Sequence, residues 1–368
     1  MIDERWLQAR RILAVRLDNL GDVILTGPAI SAIKHSLPTA EIALLAGPAG
    51  AQAGYLHPDI DRVIEYQAPW TDPWNKLAHD PERELRICET LRNENFDAAI
   101  IFTSFRQSSL PAAYLCYLAG IPLRHAASID GPGSLLTSRH RHPERLMHEV
   151  DRGLDLVSGL GMTRRDAVLS LAVPDQAREK VRRMITGIRR SDGPVIAVHP
   201  GCSMPARTYP WQQYAEVCDL LVSELDATAV LTGTEEEREL TRAIGTRMTH
   251  DAVDMAGALD FPLLCALIEA ADLTITNNTG PMHVAAAVQT PVVALFALTN
   301  PPEQWGPWKV PHRLLNHDVP CRICYSRVCP YQQECLSLVR PSAVVQAASE
   351  LLSQTRRPKM VIEWGRSA

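Results

Sequence analysis

The sequence predicts an α/β protein of two doubly wound parallel-sheet domains facing each other. Three observations predict this. Short apolar runs alternate with helix-length segments along most of the chain. The alternation lapses in a charged stretch and restarts at Val195. The 368 residues also exceed what one core usually serves, since domains run to roughly 100–200 residues. The expected division is an N-terminal domain at 1–172, a linker at 173–192 and a C-terminal domain at 193–340. The C-terminal domain carries a cysteine cluster at 321–335, and a helix and tail follow at 341–368.

The first half reads in order. Arg11–Leu17, with four apolar residues in a row between Arg11 and Arg16, reads as a buried strand. Gly21-Asp22 turns the chain, and Val23–Leu37 is helical with Pro38 beyond its end. Glu41–Ala46 is a second strand and Val63–Tyr66 a short third. Pro81–Asn93 is a charged amphipathic helix, Phe96–Phe102 a strand, and Ser109–Ala119 a helix ended by Gly120. Residues 128–147 read as a basic loop around Arg139, Arg141 and Arg145. A solvated surface accounts for such a loop as readily as a binding role does. Met147–Leu160 is a helix closed by Gly161, and the charged helix Ala177–Arg190 leads into the second half.

There the pattern repeats. Val195–His199 is a strand ending at Pro200-Gly201, and Trp211–Leu225 a helix. Ala227–Thr232 is a strand ending at Gly233, with a helix starting at Glu235. Leu263–Ala271 is helical, Leu273–Thr276 a strand, Pro281–Val288 a helix and Val292–Phe296 a strand. No short-period internal repeat is present.

Composition narrows the class. Hydrophobic residues make up 46% and charged residues 21%, as in a soluble globular protein. A net charge of −5 supplies no basic field for nucleic acid. No apolar run reaches the length of a membrane span. The charged start, MIDERWLQARR, lacks the apolar segment of a signal peptide. The expected compartment is the cytoplasm. Cys88, Cys116, Cys202, Cys218 and Cys265 are scattered, mostly in apolar runs where a small buried thiol is the default.

Chemistry is expected where strands give way to helices, because open α/β sheets bind ligands at the carboxyl ends of their strands. Two such junctions stand out: Leu17-Asp18-Asn19-Leu20-Gly21-Asp22 and Asn277-Asn278-Thr279-Gly280-Pro281-Met282-His283. Asp22 suits either a general base or a simple helix cap. In the second junction Gly280 allows close approach of backbone. Pro281 fits a first helical position, and the amides of Thr279, Gly280 and Met282 can meet a phosphate. His283 can reach phosphate or sugar, or serve as a packed core residue. Arg207, in a loop with Ser203 near Gly201, can clamp a diphosphate, though a surface role is as ordinary. Glu235 can accept from ribose hydroxyls, or serve the helix dipole with its acidic neighbours. No phosphate-binding loop of the GxxxxGK[ST] kind occurs.

Cys321, Cys324, Cys329 and Cys335 form a separate cluster. In a reducing compartment such spacing suits zinc or an iron–sulfur centre. It matches neither a paired-CxxC zinc ribbon nor the common ferredoxin runs. Reduced or partly disulfide-linked structural thiols are the alternative.

In order and spacing, several motifs together resemble glycosyltransferase family 9, the ADP-heptose lipopolysaccharide heptosyltransferases. They are Arg16–Val23, Ala119-Gly120-Ile121, His148-Glu149-Val150-Asp151-Arg152, His199-Pro200-Gly201, Ala206–Pro210, Asn278–Ala287 and Trp305-Gly306-Pro307. The cysteine cluster looks like one carried by second-heptose transferases of that family. The resemblance implies two Rossmann-like domains of GT-B type, with the donor nucleotide mainly on the C-terminal domain and the acceptor on the N-terminal one. It implies inverting transfer of a sugar, heptose from ADP-heptose, to a lipopolysaccharide core or other cell-surface glycan, with no obligatory metal. Asp22 matches the family's proposed base. Arg207 falls near the donor phosphates, Glu235 near the ribose, and Thr279, Gly280 and His283 in the donor turn.

Asn278 stands where many members carry Asp, which keeps the hydrogen-bonding shape but loses the charge. Arg139, Arg141 and Arg145 would meet acceptor phosphates or anionic lipid in a peripheral contact with the inner membrane surface. The rival functions are a sugar-nucleotide epimerase, a non-catalytic sugar-nucleotide binder and a metalloprotein built on the cysteines.

Overall fold

The computed structural model describes residues 2–355 apart from 73, 75, 165 and 190. The tail expected after the last helix, and the end of the expected 177–190 helix at Arg190, lie outside the described residues.

The first half runs α1 (Glu4–Leu7), β1 (Arg11–Arg16), α2 (Leu20–Ser36), β2 (Glu41–Ala46), α3 (Pro48–Tyr55) and β3 (Arg62–Glu65). It continues with α4 (Pro81–Asn93), β4 (Ala98–Ile101), α5 (Leu110–Leu118), β5 (Leu123–Ala127), β6 (Ser138–His140) and α6 (Glu149–Ser158). Helix α7 (Asp175–Ile188) follows. The second half runs β7 (Val195–His199), α8 (Trp211–Leu225), β8 (Thr228–Leu231), α9 (Arg238–Arg247), β9 (Val253–Asp254) and α10 (Phe261–Ala270). Then come β10 (Leu273–Asn277), α11 (Gly280–Ala287), β11 (Val292–Leu295), α12 (Pro302–Trp305), β12 (His312–Leu315), α13 (Glu334–Ser337) and α14 (Pro341–Gln354).

The strands build two six-stranded sheets, ordered β3-β2-β1-β4-β5-β6 and β12-β11-β10-β7-β8-β9. Every pairing is parallel. Numbered within its own half, each sheet has the doubly wound order 3-2-1-4-5-6. The direction of winding reverses between β1 and β4 in one sheet and between β7 and β10 in the other. A crevice opens above each reversal, and the helices that follow β1 and β10 begin there.

Burial explains why most residues of the central strands are apolar. Ile12, Leu13, Ala14 and Val15 of β1, and Val195–Val198 of β7, are buried because helices cover both faces of a parallel sheet. Helix α2 is apolar on nearly every side, as expected of a helix packed between a sheet, α6, α3 and α11. One continuous core includes residues of α2, α6, α10 and α11, so apolar packing joins the halves.

Four strands differ from the expected pattern. Strands β5, β6, β9 and β12 did not show as apolar runs. In β5, Arg124 is buried, with its guanidinium donating to the carbonyls of Ile121, Ser134 and Leu135. Strand β6 pairs only with β5 at the sheet edge, so the expected basic loop at 128–147 contains a strand. Edge strands and internally satisfied charges lack the apolar signature that marks a central strand.

Candidate active site

The two junctions meet. The start of α2 and the start of α11 lie against each other. A Cβ on Gly21 would stand 2.6 Å from His283 Cδ2, and one on Gly280 would stand 3.0 Å from Leu20 Cδ2. Backbone at each helix start thus packs on a side chain of the other half.

Asp22 occupies the first turn of α2. Its Oδ2 accepts the Asn19 amide at 3.1 Å, so it caps the helix. Its other oxygen serves a different purpose. Arg16 Nη2, at the end of β1, donates to Asp22 Oδ1 at 3.2 Å. Ser104, just past β4, donates its Oγ to the same oxygen at 3.4 Å and accepts from Arg16 Nη2 at 2.6 Å. Capping and a cleft-facing role are therefore compatible in one carboxylate.

Arg16 is buried among three acids. Its Nε lies 3.1 Å from Asp18 Oδ2, and its Nη2 lies 3.9 Å from Glu149 Oε2. The charges of Asp18, Asp22 and Glu149 raise the guanidinium above its ordinary range against the opposing effect of burial. Burial lifts Asp18 and Glu149 above the usual carboxylate range, with Arg16 pulling the other way. Gln107 Nε2 donates to Asp18 Oδ1 at 2.6 Å.

Glu149, at the start of α6, reaches the other half. Gln304 Nε2 of α12 donates to Glu149 Oε1 at 2.9 Å. Beside it, His148 Nε2 donates to Gly306 O at 3.0 Å, and its ring stacks on Trp308 at 4.4 Å. Gln304, Glu149, Arg16 and Asp22 form one polar line from the C-terminal half to the candidate base.

Facing Asp22 is the loop after β7. Arg207 Nε donates to Thr299 Oγ1 at 2.9 Å. Burial draws this guanidinium below its ordinary range, and the charges of Cys202 and Asp22 oppose that. Thr299 Oγ1 donates to Asn300 Oδ1 at 3.1 Å, and Asn278 Nδ2 donates to the same oxygen at 3.2 Å. Asn278 Oδ1 accepts the Ala297 amide at 3.1 Å. Both ends of the Asn278 amide are thus engaged inside the protein, and the residue bears on the cleft through Thr299 and Arg207. Asn277 Nδ2 donates to Pro200 O at 2.8 Å and its Oδ1 accepts the Tyr209 amide at 3.1 Å, which joins the β7 and β10 ends.

The Asn277–His283 turn is less open than its sequence implies. The Thr279 amide donates to Asn277 O and the Met282 amide to Thr279 O, and the Met282 side chain is core. Of the three amides, that of Gly280 makes no such bond within the turn. The His283 ring is buried, and its Nδ1 has no partner among the described residues. Burial, with His148 and Arg207 nearby, pushes His283 down to about 3, so the ring is neutral.

Ser203 is exposed on the Arg207 loop. Glu235 is also exposed, and pairs with Arg238 at 2.8 Å. Its neighbour Glu237 turns inward, 3.7 Å from His199 Nε2, and a Cβ on Gly201 would collide with it. Of the basic group, Arg139 lies in β6 with its guanidinium on the Ser128 and Ile129 carbonyls, each at 2.8 Å. Arg141 and Arg145 are exposed.

The four cluster thiols are all free and line one small cavity with Ala206 and Thr299, directly behind Arg207. Cys329 Sγ accepts the amides of Tyr331 at 3.4 Å and Gln333 at 3.3 Å. The four-sulfur donor set suits a thiophilic ion. No three of these sulfurs lie within 4.8 Å of one another, so an ion would have to draw them together. The loop is tied to its surroundings: Ala206 N donates to Arg327 O at 2.9 Å, and Arg106 lies over the Tyr325 ring at 4.5 Å.

Sequence reading singled out Asp22 and Arg207 but passed over Ser104, Gln107 and Gln304 as functional positions. Ser104 and Gln107 were within reach of the same logic, since they follow the end of β4. A separate concavity of about 810 Å³ opens near the starts of β7, β10 and β11, at the opposite end of that sheet.

Comparison with known proteins agrees with this architecture. A family model described as glycosyltransferase family 9 (heptosyltransferase) matches residues 84–334. Lipopolysaccharide heptosyltransferase 3 of Escherichia coli is 26% identical over 294 residues, covering 78% of this chain and 82% of its own. Among solved structures, a family 9 glycosyl transferase from Veillonella parvula superposes with a TM-score of 0.78 at 22% identity, covering 94% of this chain and 98% of that one. The Escherichia coli ADP-heptose lps heptosyltransferase II superposes with a TM-score of 0.75 at 20% identity, covering 94% and 100%. With the family model spanning well over half its length, the chain belongs to glycosyltransferase family 9 and is a glycosyltransferase.

Proposed function

We propose that the protein transfers a heptose from ADP-heptose to a lipopolysaccharide core or related cell-surface glycan, with inversion at the anomeric carbon. The observation that carries this reading is the nearness of Asp22 to Arg207, close enough for the Asp22 charge to bear on it, where the starts of α2 and α11 pack together. The Asp22 carboxylate takes the proton of an acceptor hydroxyl. That oxygen bonds to the anomeric carbon from the face opposite the leaving group. The bond from this carbon to the diphosphate breaks, and its electron pair leaves on the β-phosphate oxygen. Arg207 and the Gly280 amide stabilise that negative charge. Ser203, Thr279 and His283 line the donor side, and Glu235 receives the ribose. Arg16 and Ser104 orient Asp22.

The four cysteines have a supporting role. Cys321, Cys324, Cys329 and Cys335 would hold a zinc ion or an iron–sulfur centre, which braces the Arg207 loop and supplies no step of the transfer. Arg141 and Arg145, both exposed, would meet a phosphate-bearing acceptor at the inner membrane surface. No helix among the described residues is long and apolar enough to cross a membrane.

The test is a donor screen of ADP-heptose against other ADP-, GDP- and UDP-sugars, reading nucleoside diphosphate release with and without lipid-linked acceptor. Acceptor-dependent ADP release is expected. Turnover of donor without acceptor points to an epimerase instead. Asp22→Asn should retain donor binding and lose transfer by roughly 10²–10⁴-fold, the usual contribution of a general base. Near-normal turnover in that variant would overturn the assignment of the base.

A further inference from the structure

Outside the cleft, two histidines and a carboxylate converge at the edge of the N-terminal sheet. His140 ends β6, and His142 follows two residues later. Alternation along an extended chain puts both on one side. Asp155 comes from the facing helix α6. His140 Nε2 lies 2.6 Å from Asp155 Oδ2, and His142 Nδ1 lies 2.7 Å from the same oxygen. All three ligand atoms fall within 4.8 Å of one another, and no other such group occurs among the described residues.

We propose that His140, His142 and Asp155 form a binding site for a divalent transition-metal cation of the zinc class. The donor set is two imidazole nitrogens and one carboxylate oxygen, which suits a borderline cation with open positions for water. The group is half-buried, so it is shielded from bulk water on one side and open to entry on the other.

The surroundings are built to hold these side chains. The two rings sit with centroids 5.0 Å apart and nearly perpendicular, so they do not stack away from a shared centre. A Cβ on Gly159 would stand 2.6 Å from His140 Nδ1, so only glycine at that position lets the ring lie against the end of α6. His125 packs beside His140 and is itself held by Ser138 Oγ at 2.9 Å and Leu156 O at 3.0 Å. The guanidinium facing this group, Arg152, also faces Glu149 at 4.0 Å.

In the arrangement seen, Asp155 Oδ2 accepts from both imidazoles. With metal–ligand bonds of about 2.0–2.2 Å, tetrahedral ligands sit about 3.3 Å apart. The two imidazole–carboxylate distances therefore open slightly as the ion enters. Each imidazole coordinates through the nitrogen that now faces Asp155, and its proton moves to the remote ring nitrogen. The ion would pin the end of β6 and the Arg141–Arg145 segment to α6, the helix whose first turn carries Glu149.

The test uses the full chain, stripped with a chelator and titrated with zinc sulfate by calorimetry, with metal content measured after desalting. Asp155→Asn, His142→Gln and Cys329→Ser are compared singly, and each histidine-site variant is also combined with Cys329→Ser. Asp155→Asn and His142→Gln should each remove one zinc per chain or weaken its binding at least tenfold, in both backgrounds. Zinc should raise the unfolding temperature of Cys329→Ser but not of the combined variants. Unchanged stoichiometry and affinity in Asp155→Asn and His142→Gln would overturn the proposal. If one of the two fails to fold, the other carries the same comparison.

Discussion

Gly21 lies directly under the His283 imidazole, 2.6 Å from Cδ2 to the place a Cβ would occupy. The contact joins the first turn of α2 to the first turn of α11, so the two halves dock backbone to ring at the candidate site. Gly21→Ala should destabilise the protein by about 1–3 kcal/mol, the usual cost of overpacking. The same substitution in a His283→Ala background should cost much less, because the clash is gone. Urea unfolding of the four members of this cycle measures the coupling. Equal costs in both backgrounds would show that the ring moves aside freely.

Gln304 donates across the cleft to Glu149, which shares Arg16 with Asp22. Removing a partner from a buried acceptor costs about 1–3 kcal/mol. Gln304→Ala should lower stability by that amount and reduce transfer, since the line that fixes Arg16 loses its anchor. Glu149→Gln should be milder than Glu149→Ala. Burial already disfavours the Glu149 charge, and an amide keeps the hydrogen-bonding shape. Thermal unfolding together with steady-state rates separates docking from chemistry.

Acid should unfold the protein before its carboxylates are all protonated. Burial pushes His57 from 6.5 down to about 4. Its Nδ1 accepts the Asp59 amide at 3.2 Å, and protonation would destroy that bond. Asp59 favours the charged ring and Arg164 opposes it, but burial outweighs both. The folded-state value is below the unfolded one, so the unfolded chain binds more protons between them. The stability contribution is complete above pH 6.5 and falls by up to about 1.4 kcal/mol per unit toward pH 4. His57→Gln should flatten the slope of unfolding free energy against pH in this window. An unchanged slope would mean the ring is not the group that titrates.

The cysteine loop should affect donor binding more than chemistry. It holds Ala206 through the Arg327 carbonyl and Pro205 through Gln333, the two residues that lead into Arg207. Cys329→Ser should raise the donor KM roughly tenfold and leave kcat less affected, about 1.4 kcal/mol of lost positioning. Thr299→Val, which removes the Arg207 acceptor, should produce the same split without touching a thiol. A drop in kcat with unchanged KM for both variants would contradict the positioning role.

Much of the fold was legible because its signals are local. The central strands β1, β2, β4, β7 and β11 are mainly apolar, β10 alternates apolar residues with threonines, and Gly, Pro and Asp mark where they turn. The edges were not legible. His312–Leu315 and Ser138–His140 carry charge because only one side of each is paired, so they resemble loops. The candidate site was legible at the two junctions and the Arg207 loop and dark elsewhere. Nothing in the neighbours of Ser104 or Gln304 announces a partner 82 or 155 residues away in the chain, such as Asp22 or Glu149.

By itself, the sequence determined the two-domain α/β class, the strand–helix junctions that bear Asp22 and His283, and the family resemblance. These depend on periodicity and turn chemistry within a few residues. Only the tertiary structure decided how those residues are used. It paired Asp22 with Arg16 and Ser104, turned Asn278 inward to Asn300, occupied the amides of Thr279 and Met282, and brought His140, His142 and Asp155 together. Each outcome depends on which segments the sheets place side by side, and burial then drives most polar atoms to find a partner.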